Sequence, residues 1–115
     1  AIEDELKKQI SGSNNFYLLA KDQGGIIGIC HGVIKETKHL INQPIKFGYF
    51  DYVWVKQEYR NKKIASVLKE RLFSWFKKNK CKFIELKALE NNPALSIYKK
   101  WGFQTELLTM RKPLI

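Results

Sequence analysis

The stretch from residue 47 to residue 66, FGYFDYVWVKQEYRNKKIAS, constrains the fold of this chain more than any other. Its first part, Phe47–Val55, is mostly aromatic or β-branched, and both of its alternating faces are apolar. This pattern predicts a central strand covered on both sides. A polar loop follows, and an apolar stripe at helical spacing begins at Ile64. The stretch therefore predicts a strand, a short basic loop and the start of a helix.

A strand, a basic loop and a helix start together can bind phosphate. The first amides of a helix have no partner within the helix, and the helix dipole places partial positive charge at the same end. Lys62 and Lys63 add positive charge there. The same pattern also occurs as plain architecture, so these residues alone leave both interpretations open.

The length and composition predict one globular domain covering residues 1–115. No apolar run approaches the ~20 residues that a membrane span needs, and the acidic N-terminus does not resemble a signal peptide. Cys30 and Cys81 are isolated, which favours a reducing, cytoplasmic setting. His31 and His39 have no second ligand nearby in the sequence, so we interpret both as structural or solvated and predict no metal site.

The formal net charge of +10 favours a polyanionic partner, either nucleic acid or a phosphorylated cofactor. The lysines are spread along the chain, and no recognised nucleic-acid-binding motif accompanies them. We therefore favour a solvated, lysine-rich surface. Nucleic-acid binding stays as an alternative that rests on charge alone.

Periodicity and turn residues predict the order α-β-β-β-α-β-α-β, an α/β domain with one mixed sheet. Before the central strand, the predicted elements are a helix over Ile2–Ile10, strands over Asn15–Lys21 and Ile26–Ile34 joined as a hairpin, and a loop over Thr37–Pro44. After it, they are a helix over Lys63–Lys78, a strand over Phe83–Leu89, a helix starting at Asn91-Asn92-Pro93 and ending at Gly102, and a strand over Phe103–Lys112. A helix between two strands predicts that those strands are parallel neighbours.

Three spaced patterns carry a family resemblance: Val55-x4-Arg60-x3-Ile64-Ala65, then Leu86 to Asn91 leading into a helix, and then Asn91-x2-Ala94-x3-Tyr98-Lys99-Lys100-x-Gly102-Phe103. With these patterns the chain resembles the GNAT superfamily of N-acetyltransferases, which transfer an acetyl group from acetyl-CoA to an amine. The resemblance covers about residue 16 to the C-terminus. It implies a GNAT-like mixed sheet with flanking helices.

The sequence departs from the family pattern at two places. The family loop usually reads Arg-Gly-x-Gly-x-Gly/Ala, whereas here Asn61 and Lys63 stand where glycines are common. Family members also usually begin with a further strand and helix. The sequence is expected to lack these, as a truncated or an unusually short member.

The resemblance implies a cofactor site for acetyl-CoA as co-substrate, with no metal. Backbone groups at the end of the central strand would bind the pantetheine arm and thioester, the loop and helix start would bind the pyrophosphate, and the start of the last helix would contact the cofactor where two strands separate. The implied residues are Val53, Trp54, Val55, Arg60, Asn61, Lys62, Lys63, Ile64, Ala65, Ser66, Asn91, Asn92, Pro93 and Ala94.

Two further residues are candidates for catalysis. Tyr98 matches the family's frequent general acid, and a tyrosine hydroxyl can donate a proton to a thiolate; alternatively, it is one more core residue of its helix. Asp51 lies on a predicted strand face otherwise made of apolar residues, where a buried carboxylate is either hydrogen-bonded structurally or part of a site. The resemblance implies that Asp51 binds or deprotonates the amine.

The function expected from these residues is direct transfer of acetyl from acetyl-CoA to a primary amine in a ternary complex. The acceptor would be a small amine or a protein amine, with no membrane partner, and a homodimer is among the oligomeric states left open. One alternative is a GNAT-like module that binds CoA without catalysis, which the lost glycines favour. The other is a basic nucleic-acid-binding protein.

Overall fold

The computed structural model describes residues 3–8, 14–38 and 43–115. Within these ranges, five strands form one mixed sheet in the order β1-β2-β3-β4-β5. The first four strands are antiparallel neighbours, and β5 is parallel to β4. The elements are β1 Glu3–Lys8, β2 Asn15–Asp22, β3 Gly25–Glu36, β4 Lys46–Val55, a 3-10 turn Gln57–Tyr59, α1 Ile64–Lys78, β5 Ile84–Glu85 and α2 Leu95–Lys100.

These elements confirm the α/β class, the mixed sheet and the parallel strands on either side of the long helix. The predicted hairpin is also confirmed, since β2 and β3 pair antiparallel through a tight turn. Gln23 and Gly24 in that turn have φ values of 51° and 80°. Two successive positive φ values match the right-handed twist of the flanking strands, and glycine adopts such a conformation without steric strain.

Helix α1 packs on one face of the sheet, and two strand glycines allow its close approach. A Cβ on Gly48 would lie 2.5 Å from the ring of Phe76, and a Cβ on Gly32 would lie 2.6 Å from Leu72. Any larger residue at these positions would push the helix off the sheet. The core therefore forms between α1 and the middle of β2, β3 and β4.

A β-bulge in β4 changes which side chains share a face. Gly32 of β3 pairs with Phe50, but the next pair along joins His31 to Tyr52, so Asp51 is the extra residue. Phe50 accordingly belongs to the core under α1, and Val53 packs against that core. Asp51 and Tyr52 are on the opposite face, where Asp51 contacts His31. Simple alternation had placed Asp51 with Val53, and that prediction was wrong because a bulge shifts the period by one residue.

The helix predicted over Ile2–Ile10 was also wrong, because Glu3–Lys8 is strand β1, paired with β2. Apolar residues four apart fit a helical face, but they fit one face of a strand equally well. Backbone pairing with β2 decides between the two. Residues 2, 9 and 10 lie outside the described residues, as do residues 39–42 of the predicted loop.

The predicted strand over Phe103–Lys112 is absent from the described structure, where residues 103–115 have no strand pairing. Leu107, Leu108 and Met110 are all largely exposed. A β-type sequence forms a strand only where a neighbouring edge pairs with it. The strand predicted over Phe83–Leu89 is likewise reduced to the two residues of β5.

The other two predicted helices form, with small changes at their ends. Helix α1 begins one residue later than predicted, and its face toward the sheet includes the buried Leu68, Leu72 and Phe76. Helix α2 begins at Leu95 instead of Pro93, because the side chain of Asn92 accepts a hydrogen bond from the Ala94 amide and forms a turn first. Gly102 follows the C-cap residue of α2 and has a φ of 100°, the left-handed conformation predicted for the residue that ends this helix.

Candidate active site

Strands β4 and β5 separate soon after they pair. Their register joins only Gly48 to Ile84 and Tyr49 to Glu85. On its other side, β4 stays paired with β3 as far as Val55. In the described part of the chain, the edge of β4 beyond Tyr49 therefore has no strand partner on the β5 side. Backbone groups at such an edge bind water or a ligand, and the edge includes the predicted residues Val53, Trp54 and Val55.

The loop that follows β4 adopts at two positions the left-handed backbone conformation that is usual for glycine, although it contains no glycine. Asn61 and Lys63 have φ values of 65° and 63°, in the left-handed region. These are the two positions where the family pattern usually has glycine. Lys63 is the N-cap residue of α1, and its side chain makes no capping hydrogen bond. The amides of Ile64 and Ala65 at the helix start thus have no side-chain cap and remain available to an anion.

Two side-chain hydrogen bonds fix this loop against the sheet. The Nε of Arg60 donates to the carbonyl oxygen of Val55 at 3.0 Å, and joins the loop to the end of β4. The hydroxyl of Tyr59 donates to Oδ2 of Asp22 at 2.8 Å. That hydrogen bond is the largest cause of the raised pKa of Tyr59. This hydrogen bond from Nε gives Arg60 a role in positioning the loop. Its binding to the cofactor stays a prediction.

Lys62 and Ser66 complete the loop and the first turn of α1, and both are exposed. The Nζ of Lys62 lies 5.3 Å from the centre of the Tyr59 ring. This contact holds the lysine beside the 3-10 turn, so positive charge stays next to the start of the helix.

The segment before α2 leads from β5 to a helix that covers Phe50. Asn91 and Pro93 are exposed there, and Asn92 and Ala94 form the turn described above. The rings of Tyr98 and Phe50 are 6.3 Å apart, edge to face. The hydroxyl of Tyr98 makes no hydrogen bond to another described residue.

Asp51 lies on the other face of β4 and is part of a short hydrogen-bonded chain. Its Oδ2 lies 2.9 Å from Nδ1 of His31, and Nε2 of His31 lies 2.9 Å from Oδ1 of Asn15. The Asp51 side chain is 44% exposed, so the expectation of a buried carboxylate was wrong. His31 was interpreted as structural or solvated, and its partnership with Asp51 was missed. Sequence offered no signal, because 20 residues separate the two and a bulge brings them together.

The charge of Asp51 affects the pKa of two tyrosines on the same strand. Burial raises the pKa of Tyr49 and of Tyr52, and the charge of Asp51 raises both further. Burial also raises the pKa of Cys30 to about 12. The Cys30 thiol is therefore protonated at neutral pH and lies in the core, so it is no nucleophile. The ring of Tyr17 stacks on His31, with ring centres 4.2 Å apart.

A cleft of about 530 Å³ lies elsewhere, between α1, β5 and the segment after α2. None of the predicted site residues lines it; its walls include Phe73, Phe83 and Trp101. We therefore base the candidate site on the β4 edge and the loop instead of on this cleft. In the described ranges, no group of three or more His, Cys, Asp or Glu could hold a metal ion. No described helix is long and apolar enough to cross a membrane.

The separated edge of β4 and the left-handed loop before α1 belong to an α/β fold, and together they form the candidate anion site at the end of this strand. A sequence model of the acetyltransferase (GNAT) family matches residues 2–103. The chain therefore belongs to the GNAT acetyltransferase family. A search of curated protein sequences found no match.

Solved structures share this fold at low sequence identity. A mutant of the BH1408 protein from Bacillus halodurans has a TM-score of 0.80 and 24% identity, with 92% of this chain and 69% of that chain covered. A putative acetyl transferase from Pyrococcus furiosus has a TM-score of 0.76 and 24% identity, with 91% and 69% covered. The aminoglycoside acetyltransferase AAC(6')-Iy, in complex with the bisubstrate analog CoA-S-monomethyl-acetylneamine, has a TM-score of 0.79 and 11% identity, with 98% and 99% covered.

Proposed function

We propose that this chain transfers an acetyl group from acetyl-CoA to the primary amine of a small molecule by direct attack in a ternary complex. The observation that carries the proposal is the left-handed conformation of Asn61 and Lys63, directly after the β4 edge that β5 leaves unpaired. A backbone of this kind lets helix-start amides approach a phosphate closely. The fold of a neighbour solved with a CoA bisubstrate analog supports the same conclusion.

The chain offers two sets of groups to acetyl-CoA. The edge of β4 from Val53 to Val55, which has no strand partner on the β5 side, would bind the pantetheine arm. The amides of residues 61 to 66 would bind the pyrophosphate, with Lys62 and Lys63 supplying charge. When bound, acetyl-CoA supplies an activated acetyl thioester. Residues 91–94 would close the site from the α2 side.

Tyr98 and Asp51 lie on opposite faces of β4. Tyr98 packs on Phe50, which belongs to the core under α1, whereas Asp51 contacts His31 on the other face. Because the two groups are separate, one can accept a proton from the amine while the other donates a proton to the thiolate. Asp51 would bind the acceptor ammonium and accept its proton, and Tyr98 would donate a proton to the departing thiolate.

The alternative of a module that binds CoA without catalysis rested on the lost glycines. The left-handed φ values of Asn61 and Lys63 weaken that argument, because the backbone keeps the conformation for which glycine is usually needed. What the lysine side chain does to CoA binding is then a separate question.

The test is a transfer assay with acetyl-CoA carrying a labelled acetyl group. A panel of acceptors would include an aminosugar, a linear polyamine and a peptide with a free N-terminus, with products read by mass spectrometry and free CoA thiol measured in parallel. We expect a labelled small amine and one equivalent of thiol. Saturable CoA binding with no acetylated product from any acceptor would support the binding module instead.

A further inference from the structure

The face of the sheet opposite α1 has an aromatic surface at the end of β4. Tyr52 and Trp54 are two residues apart on this strand, so their side chains lie on the same face. They are 41% and 45% exposed, although both are large and mostly apolar. Together with Asp51, which lies on the same face, they form what we name the aromatic platform. An exposed apolar surface beside a charged group is typical of a binding site.

The strands beside β4 extend this surface with rings and aliphatic carbon. Ile29 of β3 is in register with Trp54, and His31 of β3 is in register with Tyr52. Tyr17 of β2 is in register with His31 and stacks on its ring, with the ring centres 4.2 Å apart. A ligand on the platform therefore meets flat rings and hydrocarbon across three strands.

His31 supports the platform and uses its own polar atoms to do so. Its ring nitrogens lie 2.9 Å from Oδ2 of Asp51 and 2.9 Å from Oδ1 of Asn15. The residue is 7% exposed, and its ring centre lies 5.8 Å from that of Tyr52. Neither ring nitrogen is then available to a ligand. On the described part of this surface, hydrogen bonding to a ligand is left mainly to Asp51 and the tyrosine hydroxyls.

Asp51 is the group on the platform that favours an amine. Its side chain is 44% exposed, and His31 contacts Oδ2, while no described residue bonds to Oδ1. Burial is the largest cause of the raised pKa of Tyr52, and the charge of Asp51 raises it further, so the carboxylate acts at short range on the platform. An ammonium bound to Oδ1 would also lie beside aromatic rings, which attract cations.

We propose that the acceptor is an aralkylamine, a primary amine joined to an aromatic ring by a short carbon chain. Its ammonium binds Asp51, and its ring packs on Tyr52 and Trp54. The inference rests on the proposed function and adds to it the class of acceptor. Contacts between aromatic rings contribute more than burial of their area alone. An aryl ring also brings no hydroxyl groups that this surface would leave without a hydrogen bond.

The same surface disfavours two other classes of amine. An aminosugar would lose hydrogen bonds to water that a surface of rings and hydrocarbon does not replace. A polyamine would bring several positive charges to a chain whose formal net charge is +10. Lys35 places one of those charges on this face, with its Nζ 4.1 Å from the centre of the Tyr49 ring. An aromatic amine with a single charge avoids the first cost and reduces the second.

The first test locates the amine without requiring turnover. The indole N–H signals of the chain's three tryptophans are followed by NMR while phenethylamine is added, with CoA present at millimolar concentration. Trp54→Leu identifies the signal of Trp54. We expect a saturable shift of that signal, larger than those of the other two, because a stacked aryl ring shifts nearby resonances. No saturable shift at Trp54, or a larger one at Trp101, which lines the cleft beside β5, would overturn the inference.

The second test compares acceptors in the transfer assay. Cyclohexylethylamine is the matched control amine, because it has a similar size and charge but no aromatic ring. We expect kcat/KM for phenethylamine to exceed that for cyclohexylethylamine several-fold, and those for glucosamine and spermidine by about 10-fold or more. Glucosamine or spermidine used at least as efficiently as phenethylamine would overturn the inference and leave the transfer reaction intact.

Variants of the platform test its residues through a ratio of two amines. Trp54→Leu should lower the ratio of kcat/KM between phenethylamine and cyclohexylethylamine by about 2- to 10-fold. Any loss of CoA affinity lowers both values and cancels in the ratio. Phe83→Leu is the matched control, because Phe83 is a 46% exposed aromatic residue that lines the cleft, and it should leave the ratio unchanged. An unchanged ratio in Trp54→Leu would overturn the inference.

Two further outcomes separate the possible failures. If Trp54→Leu does not fold, Tyr52→Leu tests the same ratio, with the same direction expected and an unchanged ratio contradicting the inference. If the wild-type chain shifts the Trp54 signal but acetylates no amine of the panel, the proposed function fails. The assignment of an acceptor then fails with it, and the platform is a binding surface only.

Discussion

Asn61 and Lys63 share a left-handed backbone, with φ values of 65° and 63°, on either side of Lys62. For a residue with a Cβ this conformation is unfavourable by roughly 1–2 kcal/mol. Lysine is among the less suitable residues for it, because it lacks the short polar side chain with which asparagine bonds locally. The loop thus keeps a strained backbone, as is common at ligand sites.

The strain at Lys63 predicts that Lys63→Gly stabilises the free protein. Relief of the left-handed strain outweighs the added entropy of the unfolded chain, so we expect a gain of about 0.5–1 kcal/mol in the free energy of unfolding. Lys62→Gly is the matched control, because Lys62 has no positive φ; the change adds entropy to the unfolded chain and removes the contact of the lysine with the Tyr59 ring. It should destabilise by a similar amount. Urea unfolding measures both, and a loss of stability in Lys63→Gly would show that the loop conformation is wrong.

The charge of Lys63 predicts a salt-dependent affinity for CoA. Exposed charge pairs are screened over ~8–10 Å at physiological salt, so Lys63→Gly should bind CoA more weakly than wild type at low salt and converge with it at high salt. Lys77→Gln, in the last turn of the same helix, is the control and should change neither value. Much tighter binding by Lys63→Gly at both salt concentrations would instead show that the lysine side chain blocks the site.

Removal of the Tyr98 hydroxyl should separate binding from turnover. The ring packs on Phe50 and Trp101, and Tyr98→Phe keeps those contacts. We therefore expect unchanged CoA affinity and unfolding midpoint, with kcat lowered by about 10²–10⁴-fold if the hydroxyl is the general acid. Steady-state kinetics and calorimetry measure these quantities. Unchanged kcat would assign the proton donation to water or to another group.

The charge of Asp51 predicts a specific change in two tyrosine titrations. Burial is the largest cause of the raised pKa of Tyr49 and of Tyr52, and the Asp51 carboxylate raises both as well. Asp51→Asn removes that negative charge, so both pKa values should fall, and each phenol should lose its proton at lower pH than in wild type.

Glu85→Gln is the control for this titration, because Glu85 raises the pKa of Tyr49 and is not among the groups that raise that of Tyr52. It should lower the pKa of Tyr49 only. Ring-carbon NMR of labelled tyrosine follows both residues. In the transfer assay, Asp51→Asn should also raise KM for the amine and shift the alkaline rise of the pH profile. An unchanged profile would return Asp51 to a structural role.

The long-range features of the site could not be predicted from the sequence. The central strand, the loop and α1 follow from local patterns, since each is set by residues within one turn or one pleat of each other. The bulge at Asp51 depends on the pairing of β4 with β3, which no local pattern specifies. The His31–Asp51 contact therefore came as a new finding.

Local sequence patterns also failed to predict the structure near the two ends of the chain. Apolar residues four apart near the N-terminus fit both a helix and a strand, and pairing with β2 makes Glu3–Lys8 a strand. Residues 103–112 have strand character but no partner edge in the described structure.

The positive φ values at Asn61 and Lys63 also could not be predicted from the residue types, which indicated only that the usual glycines were missing.

An amide NMR titration of the free chain with CoA shows where the cofactor binds. We predict saturable chemical-shift changes at the amides of residues 53–55 and 61–66, strongest at the start of α1, with smaller changes at residues 91–94. Saturable changes confined to the cleft lined by Phe73, Phe83 and Trp101, or no saturable change at millimolar CoA, would contradict it.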